Sequence, residues 1–170
     1  MIPGFSTRRR FSDLSEREIL ALAISSEVED REIYQTFAEH LRGEFPASAA
    51  VFDGMAEEEK EHHRRLVELY HRRFGEVILP IRRSDVAGYY SRRPIWLVEN
   101  LGLERVRAEA EIMEVDAGNF YVAAAGRATD PDVKALLSEL AAAETEHVSR
   151  AGQLAEKNLT PSARNAEDAV

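Results

Sequence analysis

The sequence of 170 residues contains no cysteine and has fewer basic than acidic side chains. The lack of cysteine excludes disulfides and metal centres held by thiolates, and it fits a reducing compartment. Lysine and arginine total 22 against 31 aspartates and glutamates, which gives a net charge of -9. This imbalance disfavours nucleic-acid binding, because phosphate contacts need a basic surface, and it suits cations better.

The sequence also lacks a long apolar run. No stretch approaches the length of a membrane span, and the N-terminal residues lack the apolar centre of a secretory signal. A chain of this length can bury a substantial single core without needing a metal in order to fold. We therefore expect a soluble domain in which any bound metal serves function first.

Glycine and proline are scarce, with nine and six residues, and they separate four segments whose apolar residues recur at helical spacing. Ser15 and Glu18 form a capping box that begins the first helix, which ends at Gly43. The other helices are predicted over 46–74, about 95–126 and about 130–157. Residues 75–94 contain two prolines and two glycines, and they predict a long crossover with a short ordered piece.

These elements predict an all-α protein, a four-helix bundle with one long crossover between the second and third helices. That connectivity is the one found in ferritin-like folds. We expect three regions along the chain: an N-terminal arm over 1–12, the helical domain over 13–157 and a tail over 158–170. The tail is polar, as a linker or a frayed end would be. The given sequence could therefore be one part of a longer protein.

The motif Glu-x-x-His occurs twice, at Glu59 to His62 and at Glu144 to His147. Residues three positions apart are neighbours on a helix, so the two side chains of each pair can reach one point. Both pairs fall on the apolar stripe of their helix. A single pair of this kind is most often a solvated coincidence, whereas two copies on core stripes predict one buried site.

The first and third helices carry matching carboxylates and tyrosines. Glu27 precedes Tyr34 by seven residues, and Glu114 precedes Tyr121 by the same step, which is about two turns along one face. Glu111 lies one turn before Glu114. The two halves of the chain thus look like copies of one helical hairpin, each with a glutamate and a tyrosine on its first helix and Glu-x-x-His on its second.

Burying a carboxylate alone costs several kcal/mol, so at least six ionisable groups in one core need compensation. No lysine or arginine lies on these stripes at the same level, which leaves protons or metal ions. Carboxylate oxygens and imidazole nitrogens suit iron or manganese and tolerate zinc. Five carboxylates carry a charge of -5 against +4 from two divalent ions, and the ligand set is that of ferritin-like dinuclear carboxylate proteins.

Other charged residues near these segments have ordinary explanations. Asp30 lies close to the Glu27 face, and a helix-surface ion pair with Arg31 or Arg17 explains it about as well as a role in the site. Arg82 and Arg83 are expected to be solvated.

Four segments resemble the ferritin-like superfamily, in particular its rubrerythrin or erythrin branch, over roughly residues 13–157. They are EVEDREIY from Glu27, EKEH from Glu59, EIMEVDAGNFY from Glu111 and ETEH from Glu144. More narrowly, the chain is similar to the cytosolic erythrin domain of bacterial membrane-bound ferritins, which precedes a vacuolar-iron-transporter-like membrane domain. The resemblance implies a homodimer on the cytoplasmic face of the inner membrane, and the acidic net charge argues against nucleic-acid partners.

The resemblance also implies two iron ions, for which Mn2+ or Zn2+ could substitute. It makes Glu27 a terminal ligand, gives Glu59 and Glu144 bridging roles, and assigns one iron each to His62 and His147. Tyr34 and Tyr121 would orient carboxylates by hydrogen bonding. For the third helix the choice stays open, because the spacing of 33 residues to Glu144 favours Glu111 and the step to Tyr121 favours Glu114.

These observations favour oxidation of Fe(II) with O2 or H2O2, as a ferroxidase and peroxide scavenger. In the fusion that the resemblance implies, the domain would collect iron for a membrane exporter. Rubrerythrins proper also carry a cysteine-rich iron centre, and its absence here argues against rapid peroxidase turnover from an attached donor. The alternatives are a non-redox module for iron sensing or delivery, and a structural bundle whose buried glutamates are protonated.

Overall fold

Four long helices make up most of the described chain. The computed structural model describes residues 8–87 and 102–157, with side chains as far as Val148. The helices are α1 (Glu16–Leu41), α2 (Pro46–Phe74), α3 (Leu103–Arg127) and α4 (Pro131–Lys157). Helices α1 and α2 pack as one hairpin, α3 and α4 pack as a second, and a long segment joins the two. The predicted all-α bundle with one long crossover is confirmed.

The ends of α1 and α2 follow the predicted sequence signals. The Ser15 hydroxyl accepts the Glu18 backbone N–H at 3.2 Å, and the Glu18 carboxylate accepts the Ser15 backbone N–H at 3.3 Å, which completes the capping box. Pro46 begins α2, where its missing N–H costs nothing. Gly75 follows the helix with a φ of 87°, a conformation that favours glycine.

Helix α3 begins later than predicted. Gly102 is extended and α3 starts at Leu103, so the expectation of a helix continuous from about Ile95 is wrong. The preceding residues, 88–101, lie outside the described part of the chain, as does the predicted tail over 158–170. The domain boundaries therefore stay a prediction.

The described part of the crossover is ordered against the rest of the bundle. Strand β1 (Arg9–Arg10) pairs in parallel with strand β2 (Val86–Ala87), and single turns of 3-10 helix lie beside both strands. Residues that were predicted to belong to an N-terminal arm thus hold the crossover in place. Among the described residues, no helix is both long and apolar enough to cross a membrane.

The apolar core forms two clusters. One joins the N-terminal half of α1 to the C-terminal half of α2, and its buried members include Leu20, Leu66, Tyr121 and Leu140. The other joins the remaining halves of the same two helices, and its buried members include Phe37, Phe52, Met55 and Met113. Along each helix of the first hairpin, and along α3, the glutamates and histidines of the Glu-rich motifs lie between the two clusters. Apolar side chains therefore enclose the polar centre from both ends.

A buried ion pair ties the crossover to α1. The Arg83 guanidinium donates hydrogen bonds of 2.8 and 2.7 Å to the two carboxylate oxygens of Asp30, and both side chains are buried. The expectations that Arg83 is solvated and that Asp30 pairs with Arg31 or Arg17 at the surface are wrong. The bidentate geometry suits a guanidinium and a carboxylate that leave water together.

Replacing Arg83 should destabilise the fold. Arg83→Met leaves the Asp30 carboxylate buried without its guanidinium, and we expect the free energy of unfolding in urea to fall by about 3–5 kcal/mol. The double variant Arg83→Met with Asp30→Leu should recover most of that loss, because it removes both charges.

The control is Arg82→Met, since Arg82 is exposed beside the buried arginine. An equal loss of stability in Arg83→Met and Arg82→Met would mean that the ion pair does not anchor the crossover.

Candidate metal centre

Six side chains from all four helices meet at the centre of the bundle, and each is 1–7% exposed. They form two groups, in each of which one donor atom per residue lies within 4.8 Å of all the others. The first group is Glu27, Glu59, His62 and Glu144, and the second is Glu59, Glu114, Glu144 and His147. Glu59 and Glu144 belong to both groups. The arrangement is that of two adjoining four-donor groups with two shared carboxylates.

The helical period and the pairing of the hairpins produce this arrangement. The residues of each Glu-x-x-His pair lie one turn apart on the inner face of α2 or α4. The two imidazole rings, of His62 and His147, are nearly parallel, with their centroids 6.1 Å apart and an angle of 15° between their planes. Each group of donors thus contains one histidine.

Tyrosines hold the carboxylates of α1 and α3 in a crossed pattern. The Tyr34 hydroxyl on α1 donates to Oε1 of Glu114 on α3, and the Tyr121 hydroxyl on α3 donates to Oε1 of Glu27 on α1. Burial, followed by the charge of the carboxylate that each hydroxyl contacts, raises the pKa of both tyrosines well above the usual value. Both hydroxyls therefore stay protonated donors, and each contacts only one oxygen of its glutamate. Oε2 of Glu27 has no hydrogen-bond partner among the described residues, and Oε2 of Glu114 lies 3.0 Å from Nδ1 of His147.

Three donor atoms of the first group are unsatisfied. Oε2 of Glu27, Nδ1 of His62 and Oε1 of Glu144 have no hydrogen-bond partner among the described residues. Nδ1 of His62 is nevertheless 3.6 Å from Oε2 of Glu27 and 3.4 Å from Oε1 of Glu144. Buried polar atoms rarely lack partners, and a cation between these three would satisfy all of them.

The charge and chemistry of the donors also fit two divalent ions. The four clustered glutamates carry -4 when ionised, which balances +4 from two such ions. Oxygen and imidazole donors suit iron and manganese and are compatible with zinc. The residues present therefore fit a dinuclear centre.

Without a metal, the acidic residues of the cluster share protons. Burial and the neighbouring Glu27 carboxylate raise the pKa of Glu59 well above its usual value. Burial and the Glu144 carboxylate raise the pKa of Glu114 to about 8, although His147 acts in the opposite direction. Burial also acts against ionisation of Glu144, but the two imidazoles beside that carboxylate outweigh it and lower its pKa.

The histidines also hold protons, because carboxylates surround both rings. Burial opposes the charged form of each ring, but the surrounding carboxylates outweigh it. Glu144 and Glu27 raise the pKa of His62 to about 9, and Glu114 and Glu144 raise the pKa of His147 to about 11. A metal that binds either ring nitrogen must therefore displace a proton.

The structure separates the two candidates from the third helix. Glu114 lies in the cluster, whereas Glu111 is exposed and outside both groups. The two residues differ by three positions, so their directions differ by about 60° around the helix axis, enough here to turn Glu111 towards solvent. The structure thus does not bring Glu111 together with the other candidate ligands. The other six residues come together as expected, and their roles as ligands stay predictions.

Sequence reasoning missed Glu58, which contacts the cluster from outside. Its carboxylate meets Nε2 of His147, on the side of the ring that faces away from the other glutamates. In the sequence, Glu58 is the middle of three consecutive glutamates, a pattern that usually indicates a solvated helix face. Only the packing of α4 against α2 distinguishes it from its neighbours.

The two glutamates on α3 provide a matched test of metal binding. Glu114→Ala removes a donor of the second group, and we expect Mn2+ binding at that position to weaken by more than about 100-fold, since even the outer partners of ligands contribute about 10–100-fold. Glu111→Ala, one turn away and exposed, should bind Mn2+ as the unchanged protein does. Electron paramagnetic resonance titration of free Mn2+ measures both. Equal weakening in the two variants would exclude a specific role for Glu114.

Metal binding should strengthen as the pH rises. The raised pKa values of Glu114, about 8, and His62, about 9, mean that both hold protons at about pH 6 that a metal must displace. Raised values also mean that these groups stabilise the metal-free fold most below their ordinary pKa, a contribution lost as the pH rises through 8 and 9.

Easier displacement of protons and lower stability of the metal-free fold both increase the stabilisation by metal as the pH rises. We expect saturating Mn2+ to raise the melting temperature more at about pH 8 than at about pH 6, as measured by scanning calorimetry. A smaller increase at the higher pH would show that proton displacement does not govern binding.

Comparison with known proteins identifies the family and agrees with the fold. The sequence matches the rubrerythrin family over residues 18–155. The fold is similar to that of a hypothetical protein from Pyrococcus furiosus, with 25% identity, a TM-score of 0.70 and coverage of 88% of this chain and 93% of that one.

The fold is also similar to that of a Thermotoga maritima protein described provisionally as a ferritin-like diiron-carboxylate protein. The identity is 20% and the TM-score 0.66, with coverage of 83% of this chain and 94% of that one. Among curated proteins, none matches significantly. The match to the family model spans most of the sequence and includes all six clustered side chains, and the chain therefore belongs to the rubrerythrin family.

Proposed function

We propose that this protein binds two iron ions and oxidises Fe(II) with H2O2 or O2. The observation that carries the proposal is the pair of four-donor groups that share Glu59 and Glu144. Two positions with common carboxylates suit a reaction that removes one electron from each of two metals. A single binding or transport site would not need the second position.

Each residue of the cluster has a defined part in this proposal. Glu59 and Glu144 would bridge the two metals, while Glu27 with His62 and Glu114 with His147 would complete the separate positions. Anionic oxygen donors stabilise the more highly charged Fe(III), so the glutamates favour the oxidised product. The iron pair would supply the redox chemistry, in which two Fe(II) and two protons convert one H2O2 into two water molecules and two Fe(III).

The surrounding residues prepare the site for that chemistry. Tyr34 and Tyr121 fix the direction of Glu114 and Glu27 through their hydroxyl groups. The apolar clusters at both ends exclude bulk water, which strengthens every electrostatic interaction at the centre. The 170 residues contain no cysteine, so a cysteine-bound iron centre within them would not supply the electrons that return the metals to Fe(II).

The proposed activity can be tested by anaerobic titration with Fe(II) followed by exposure to H2O2 or air. We expect about two Fe(II) per chain and oxidation faster than in buffer, as two ions share one site. Glu59→Ala and Glu144→Ala should each lose both, because each removes a carboxylate common to the two positions. Glu111→Ala, on the exposed face of α3, is the matched control and should keep full stoichiometry and rate.

The outcomes separate the alternatives. A protein that binds two Fe(II) and oxidises them no faster than buffer is an iron sensor or delivery module. A protein that binds no iron and gains no stability from Mn2+ is a structural bundle with protonated glutamates.

The role in iron export is the finer part of the proposal, and the resemblance to membrane-bound ferritins is its support. In such a protein this domain would collect iron at the cytoplasmic face of the inner membrane as part of a homodimer. Reading the natural gene beyond codon 170 tests the fusion directly, since a stop codon shortly afterwards would rule out a membrane domain in the same chain.

A further inference from the structure

The two nitrogens of the His147 ring face different carboxylates. Nδ1 points into the cluster, 3.0 Å from Oε2 of Glu114 and 3.6 Å from Oε2 of Glu144. Nε2 points the other way and contacts Oε2 of Glu58, which reaches across from α2 to α4. Nδ1 is therefore the nitrogen that can bind a metal, and Nε2 is the nitrogen that can donate a hydrogen bond.

Among the described residues, no carboxylate makes such a contact with Nε2 of the other histidine, His62. The two hairpins repeat the same motif, but α4 carries Ala143 at the position where α2 carries Glu58. A methyl group cannot accept a hydrogen bond from the His62 ring. Glu58 also differs from the clustered glutamates in its exposure, since 38% of its side chain is accessible to solvent whereas theirs are buried.

A hydrogen bond from the second ring nitrogen matters for metal binding. Neutral imidazole binds a metal through one nitrogen only when the other nitrogen carries the proton, and a carboxylate acceptor fixes both that tautomer and the plane of the ring. Partners of this kind commonly contribute about 10–100-fold to metal affinity. The ring of His147 is thus oriented before a metal arrives.

We propose that Glu58 is a positioning residue for His147 and makes the two metal positions unequal. The position formed with Glu114 and His147 binds the first divalent cation, and the position formed with Glu27 and His62 binds the second. The inference rests on the metal-binding part of the proposed function, and it adds an order of filling.

Charge and orientation can be separated by two substitutions. Glu58→Gln keeps an oxygen that accepts from Nε2 and loses the negative charge, whereas Glu58→Ala loses both. The matched control is Glu57→Ala, because Glu57 is the preceding glutamate on α2 and its side chain is 71% exposed.

The first measurement is a stepwise Mn2+ titration by calorimetry. The unchanged protein and Glu57→Ala should show two binding events of different affinity. Glu58→Ala should weaken the tighter event by about 10–100-fold and leave the weaker one in place, with Glu58→Gln between the two. Because Glu58 is partly exposed, its replacement should leave the fold intact. Equal unfolding midpoints of the metal-free variants would confirm this.

The second measurement observes the histidine itself. In Zn2+-loaded protein, 15N-resolved NMR of the imidazole rings should show a slowly exchanging Nε2–H at His147, assigned by its loss in His147→Gln. Glu58→Ala should make that proton exchange rapidly. A role for Glu58 in general stability would not move this signal.

Three results would overturn the inference: two identical binding events in the unchanged protein, equal weakening of both events in Glu58→Ala, or an Nε2–H signal that is insensitive to Glu58. Failure of the metal-binding part of the proposed function would look different, because the unchanged protein would then bind no metal at all, and failure of the oxidation alone would leave both binding events in place.

Discussion

Four carboxylates and two imidazoles have to coexist in the water-poor centre of this bundle, and the rest of the structure depends on how their charges are compensated. Ionised glutamates at this depth repel one another, so the metal-free cluster keeps protons on Glu59 and Glu114 and on the histidines. Two divalent cations would neutralise the same groups without protons. The buried pair of Arg83 and Asp30 is neutral by itself, but the Asp30 carboxylate is among the charges that raise the pKa of Glu59.

The two hairpins carry the same donor residues but differ in the residues that contact those donors from outside. Both carry a glutamate and a tyrosine on the first helix and Glu-x-x-His on the second. Asp30, held by the crossover, lies one turn after Glu27, while its counterpart after Glu114 is Ala117. Glu58 contacts one histidine, and its counterpart is Ala143. Two positions with the same donors therefore have different outer partners, which is a physical basis for different affinities.

The sequence predicts most of the fold, because its signals are local. The capping box at Ser15 and the helical period determine where α1 begins and which face of each helix is buried. The contacts it does not predict depend on how neighbouring helices are rotated and packed. A rotation of about 60° separates Glu111 from Glu114, too little to resolve from periodicity. Arg83 sits far along the chain from Asp30, and nothing local marks the two as partners.

The crossed tyrosine contacts have a consequence for assembly of the bundle. Each hydroxyl reaches a glutamate on the opposite hairpin, so a slip of one hairpin by a single helical turn, about 5.4 Å, would break both bonds together. Apolar stripes alone tolerate such a slip, since one turn brings similar side chains into contact. The two hydrogen bonds therefore select the register of the hairpins along the bundle axis, and in that register the donor atoms of all four helices lie at the same height.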